Sequence, residues 1–176
     1  MSKSTDEWID AYKAKSALWM HDGNPNRPHA LLTSGKHSNG FFNSELVMED
    51  PCMLDEACSD LVSLIEQEEI MLETINRVVG PAMGAITLAH DIARHVGYQY
   101  GTTCLRAYTE KVQEGNTTRM AFLRTTIRAG ESVLLCEDVL STGGSVLSAQ
   151  EAVEKAGGIV LPIVALLVNR SGLPQV

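Results

Sequence analysis

Residues 132–158 read SVLLCEDVLSTGGSVLSAQEAVEKAGG and hold the densest set of groups able to do chemistry. An apolar run, Val133 to Leu135, leads to the acids Glu137 and Asp138. Val139 and Leu140 follow, then the small, hydroxyl-rich loop Ser141-Thr142-Gly143-Gly144-Ser145. A loop of this composition at a helix start offers backbone N–H groups and hydroxyls to a phosphate, and the helix dipole favours the anion. Two carboxylates at the end of the preceding strand suit ribose hydroxyls or a bound metal. Together these groups describe a site for a phosphorylated sugar. A generic phosphate loop would explain the glycines and hydroxyls but not the acids three residues before them.

Such a loop needs a strand before it and a helix after it. Ser132–Cys136 is predicted as the strand, 145–156 as the helix and Gly157-Gly158 as its stop. The same pattern occurs earlier. Ile75–Val79 reads as a strand, Gly80-Pro81-Ala82-Met83-Gly84 as a turn, and 84–96 as a helix. Two glycines and a helix start suit a second anion-binding turn; alone the pattern reads as a plain strand-to-helix turn, and it gains meaning beside the 137–145 loop. Tyr98–Ala107 and Met120–Leu123 are predicted strands, and the polar stretch 108–117 a mobile loop. Ile159–Val168 is an unbroken apolar run, expected to be a strand buried on both faces. Before this alternating region, residues 5–20 have helical spacing of Trp8, Ile9, Tyr12 and Trp19, and 21–28 form a turn-rich break. Residues 30–48 read as strand, glycine turn and strand, and Asp50-Pro51 opens a helix to about Glu69. Alternating strands and helices predict an α/β fold with a parallel sheet, and ligands bind at the carboxyl edge of such sheets.

The bulk numbers narrow the function classes. The chain has 176 residues, enough for a single domain, read as an N-terminal helix and hood over roughly 1–50 and a core over 51–176. A net charge of −8 with scattered Lys and Arg argues against a nucleic-acid partner. No apolar run reaches the roughly 18 residues of a membrane span, and the charged N-terminus lacks a signal-peptide core. The four cysteines show no metal or disulfide spacing, as expected of reduced cytoplasmic thiols.

The 132–158 segment resembles the phosphoribosyl-pyrophosphate (PRPP) motif of type I phosphoribosyltransferases, and VVGPAMGAITLAHDIARHVG resembles their pyrophosphate-binding turn. Within that superfamily the chain is most similar to the orotate phosphoribosyltransferase family. The similarity spans about residues 28–171. It includes TSGKHSNGFFN (33–43), Asn169-Arg170 after the last long strand, and Glu110-Lys111 in the polar segment. The resemblance implies a Rossmann-like type I fold with a small hood. It also implies transfer of phosphoribose from PRPP to orotate, with Mg²⁺ held mainly by PRPP and water, in a homodimer. PRPP would be bound by Glu137, Asp138, Val139, Leu140, Ser141, Thr142, Gly143, Gly144 and Ser145, by Ala82, Met83 and Gly84, and by Lys111. Glu137, Asp138 and Lys111 would act in catalysis, and Phe41, Phe42, Lys36, Ser141 and Arg170 would receive orotate. Either phenylalanine suits a core as well as a ligand. Several positions depart from the family pattern. Thr33 and Met83 stand where lysines are frequent, and EKVQEGNTTR carries only Lys111 and Arg119 where the family's loop is more basic. Two other readings remain: a phosphoribosyltransferase for another nucleobase, and a non-catalytic PRPP- or nucleotide-binding regulator of the same fold.

Overall fold

The computed structural model describes residues 2–32, 35–68, 70–115 and 117–173. Thr33 and Ser34 of the hood motif lie outside the described residues. The hood comprises α1 (Thr5–Ala14), β1 (Leu18–Met20), β2 (Ala30–Leu31), β3 (His37–Ser38), β4 (Gly40–Phe42) and the single turn α2 (Glu45–Met48). The core follows as α3 (Pro51–Glu66), a 3-10 turn (Leu72–Thr74), β5 (Arg77–Pro81), α4 (Ala85–Tyr100), β6 (Leu105–Glu114), β7 (Thr117–Ala121), β8 (Ser132–Leu140), α5 (Gly144–Lys155) and β9 (Ile159–Asn169). No described helix is long and apolar enough to cross a membrane.

The main sheet runs β7-β6-β5-β8-β9. β6, β5, β8 and β9 are parallel, and β7 is antiparallel to β6. From β5 the chain crosses through α4 to β6 on one side, and from β8 through α5 to β9 on the other. The connections therefore diverge between β5 and β8, which opens a crevice at the carboxyl ends of those two strands. Alternation along β8 divides the core into two layers. Leu134 and Cys136 pack with Leu54, Cys58, Leu88 and Ile92 of α3 and α4. Val133 and Leu135 pack with Val79 and with Val146, Ala149 and Val153 of α5. Each large aliphatic side chain buried this way contributes about 1.5–3 kcal/mol. Tyr12, Ala17 and Val47, with Phe42 and Trp8, form a separate small core under the hood.

Several elements differ from their sequence expectation. The N-terminal helix ends at Ala14, and Ser16 turns the chain with φ +56°. Leu18–Met20 then pairs with Gly40–Phe42, setting Trp19 opposite Phe41, so tertiary pairing overrides the helical spacing that extends to Trp19. Glu45–Met48 is helical rather than strand, because this turn buries Val47 and Met48. α4 continues through Tyr98 to Tyr100, since its buried stripe of Ala89, Ile92, Ala93 and Val96 leads to a partly buried Tyr100 before Gly101 stops it at φ +61°. The polar 108–117 stretch is mostly the β6–β7 hairpin, not a loop. Several of its polar residues have partners within the hairpin or just beyond it: Thr118 Oγ1 donates to Gln113 Oε1 at 2.7 Å, Arg119 pairs with Glu114, and Glu110 pairs with Arg124 after β7. β9 is an edge strand and mostly half-buried, so only one of its two flanks is paired within the chain. The α3 start agrees with expectation. The Asp50 carboxylate accepts from the N–H groups of Cys52 and Met53, with Pro51 in the first turn.

Candidate active site at the carboxyl edge of the sheet

β8 carries its acids inside the strand, paired with β9 as far as Leu140–Asn169. Alternation therefore sends Glu137 to the α5 side and Asp138 to the α4 side. On the α4 side the Gly80–Gly84 turn comes against Asp138. A β-carbon on Gly84 would lie 2.6 Å from Asp138 Oδ2, so only glycine allows this approach. A β-carbon on Gly80 would likewise meet the Ala85 β-carbon at 2.6 Å. The Ala82–Met83 peptide is cis, Ala82 N–H donates to the Thr109 carbonyl at 2.8 Å, and the Met83 side chain is exposed. The sequence separates the two turns by more than fifty residues; the fold joins them at one crevice.

The two helices that leave this crevice start differently from α1 and α3. α1 opens with a Ser4–Glu7 capping box and α3 with Asp50. α4 and α5 open at Gly84 and Gly143, with no side chain capping either. No side chain therefore accepts from their first turns, although Ile86 N–H donates to the Met83 carbonyl at 3.2 Å, and the dipoles favour an anion there. Gly143 holds φ +79°, and Ser141, Thr142, Gly144 and Ser145 are exposed around it, while Val139 is half-buried and Leu140 is buried in the α5 layer. Two anion turns flanking two carboxylates fit a sugar bearing a phosphate at each end.

The electrostatics of the acids follow from burial. Glu137 is 8% exposed. Desolvation, reinforced by a hydrogen bond with Asp138 and its charge, pushes the Glu137 carboxyl up to about 8, with Lys111 acting in the opposite direction. Val79 pairs with both Ala107 and Leu135. Ala107, Thr109 and Lys111 on β6 therefore share a sheet face with Leu135 and Glu137. Lys111 is exposed and makes no ion pair among the described residues, whereas Arg119 is held by Glu114. Thr109 is fully buried, and its hydroxyl has no hydrogen-bond partner among the described residues. Nothing in the local sequence marked Thr109, because only the sheet register brings it beside Pro81 and onto the Glu137 face.

The residues expected to take an acceptor meet where the hood reaches the end of β9. Arg170 N–H donates to the Leu140 carbonyl at 2.8 Å, which fixes the arginine next to the 141–145 loop. Its Nη2 donates to Ser38 Oγ at 2.9 Å and to the Gly40 carbonyl at 3.0 Å, and its guanidinium lies 5.9 Å from the Phe42 ring centroid. The two phenylalanines have separate roles. Phe42 packs into the hood core, edge-on to Tyr12 at 6.0 Å, while Phe41 is 42% exposed across from Trp19. Lys36 is exposed at the β2–β3 turn. A groove of about 820 Å³ lies elsewhere, between α3 and β9, lined mainly by aliphatic residues such as Leu61, Leu64, Ile65 and Ile163. Its lining converges no charged groups comparable to those at the sheet edge.

A family model of the phosphoribosyl transferase domain matches residues 56–175, and the chain belongs to that family. Its relatives include the orotate phosphoribosyltransferase of Pelotomaculum thermopropionicum, 36% identical over 88% of this chain and 74% of that protein. The orotate phosphoribosyltransferase of Campylobacter jejuni is 34% identical over 78% of this chain. The chain spans 62% of the length of the Campylobacter relative. Among solved structures, orotate phosphoribosyltransferase from Aeropyrum pernix superposes with a TM-score of 0.62 at 18% identity, covering 91% of this chain and 92% of that one, a likeness of fold.

Proposed function

We propose that this protein transfers the phosphoribosyl group of PRPP to orotate, giving orotidine 5′-monophosphate and pyrophosphate in pyrimidine biosynthesis. The observation that carries this reading is the carboxylate pair Glu137–Asp138, flanked by two helix starts without side-chain caps and pressed against Gly84. Relatives that bear the orotate name, at 34–36% identity, support the choice of acceptor. So does Arg170, a planar, permanently charged fork suited to a carboxylated ring.

In this reading the 141–145 loop anchors the 5′-phosphate and the 82–84 turn takes the pyrophosphate. The bond from the anomeric carbon to pyrophosphate breaks, and a bond to the orotate ring nitrogen forms. Positive charge develops on the sugar in between, as at other glycosidic centres. Glu137 and Asp138 bind the ribose hydroxyls; the Asp138 carboxylate opposes that charge, and Glu137 adds to it as it ionises toward about pH 8. Lys111 neutralises the departing pyrophosphate from the β6–β7 hairpin. The ring nitrogen of orotate is acidic, so no strong protein base is required.

Mg²⁺ fits this edge as a substrate-borne ion. Among the described residues the one grouping of three potential ligands, Asp55, Asp91 and His95, lies on α3 and α4, where Arg94 already bonds both aspartates. Glu137 and Asp138 would reach the ion through the ribose they hold, and the bound ion would supply charge neutralisation at the pyrophosphate. The homodimer and the cytoplasmic location rest on the family resemblance, and the four free cysteines accord with a reducing compartment. Asp138→Asn tests the core of the reading. Its kcat should fall on the order of a hundredfold with the fold unchanged. Unaltered turnover would remove Asp138 from the mechanism.

A further inference from the structure

Arg170 enters the acceptor site with one edge already engaged. Arg77, Arg94, Arg119 and Arg124 each pair with a carboxylate. Arg170 is half-buried and pairs with none among the described residues. Its partners are neutral: Ser38 Oγ, the Gly40 carbonyl and the Phe42 face. The charge therefore stays uncompensated, while one terminal nitrogen is tied down. An arginine side chain loses rotamer entropy when it is fixed. Fixing it before the ligand arrives moves that loss out of the binding step.

Ser38 is built for this task. Its hydroxyl donates to the Gly40 carbonyl at 2.7 Å and accepts from the Gly40 N–H at 3.2 Å. The remaining lone pair accepts from Arg170 at 2.9 Å. A serine hydroxyl has one proton and two lone pairs, and here all three are engaged. The oxygen is thus locked by its own turn, and a rotating hydroxyl has become a fixed acceptor. The Gly40 carbonyl takes both the Ser38 hydroxyl and Arg170, which closes a small ring of bonds between hood and β9.

We propose that Ser38 is a positioning residue for the acceptor, holding one nitrogen of Arg170 on the hood so that the rest of the guanidinium faces the carboxylated base. This rests on the orotate reading of the site. The experiment is a double-mutant cycle of Ser38→Ala and Arg170→Ala with Ser38→Thr as the conservative variant. Separate KM values for orotate and PRPP, kcat, and the thermal midpoint are measured throughout. Loss of one charge-assisted hydrogen bond should raise KM for orotate about tenfold in Ser38→Ala, with kcat and KM for PRPP within about twofold. Ser38→Thr, which keeps the hydroxyl, should restore most of that affinity. Ser38→Ala should add nothing in the Arg170→Ala background. An unchanged orotate KM, an equal rise in both KM values, or the same effect with and without Arg170 would each overturn the positioning role. Should Ser38→Ala fail to fold, Ser38→Cys, which keeps the volume with a weaker acceptor, must still raise the orotate KM selectively, or the role is lost. If the unaltered protein turns over PRPP with another base and not with orotate, the acceptor reading itself is wrong, and this proposal falls with it.

Discussion

Gly84 and Asp138 approach each other closely in the crevice, and the consequence is local. A methyl group at residue 84 would sit 2.6 Å from the Asp138 carboxylate, so Gly84→Ala must push that carboxylate out of place. Turnover should fall on the order of a hundredfold while the thermal midpoint moves little, because the displaced group borders the crevice rather than the core. Glu137 makes a different statement. Its folded-state value of about 8 lies above its ordinary 4.5, so the folded protein holds this proton more tightly than the unfolded chain. The stability contributed is fully present below about 4.5 and is lost as pH rises through about 8. Urea denaturation of the ligand-free protein at about pH 5 and pH 8 should show that loss, and Glu137→Gln should remove most of it.

Elements are held by features that short-range sequence shows only in part. At the amino end of β5, Arg77 bonds both oxygens of Glu131 at 2.8 and 2.9 Å, and both side chains are nearly buried. Glu131→Ala leaves the guanidinium buried and unpaired, and should destabilise the fold by about 3–5 kcal/mol in chemical denaturation, with the active-site edge distant from the change. The strands and helices around the two anion turns were legible in sequence, because apolar runs and glycine stops are short-range signals. So were the acids, the 141–145 loop and Arg170. The β6–β7 hairpin was not. Its residues are polar because both faces meet water or cross-strand partners, and polarity alone looks the same in a loop. The Trp19 strand was hidden for the opposite reason, since its pairing with Phe41 joins segments a score of residues apart. Ser38 lay inside the quoted hood motif, yet its bond to Arg170 links residues 132 positions apart, a distance that no local pattern carries.

For the whole molecule, the proposed reading has a chain of net charge −8 bind a donor with anionic groups at both ends. Long-range attraction therefore cannot supply affinity for PRPP, and binding must come from local N–H groups, Lys111 and the ion the substrate carries. Removal of Mg²⁺ by a chelator should abolish turnover, and its return should restore it. The homodimer is tested by light scattering, where a mass of twice 19.1 kDa is expected at micromolar concentration. The central claim concerns the acceptor, and steady-state turnover of PRPP and Mg²⁺ with orotate, uracil, adenine and guanine offered separately tests it most directly. The expected result is orotidine 5′-monophosphate and pyrophosphate in equal amounts from orotate, with little product from the other bases. Good turnover of another base with none of orotate, or PRPP binding with no turnover of any base, would contradict it.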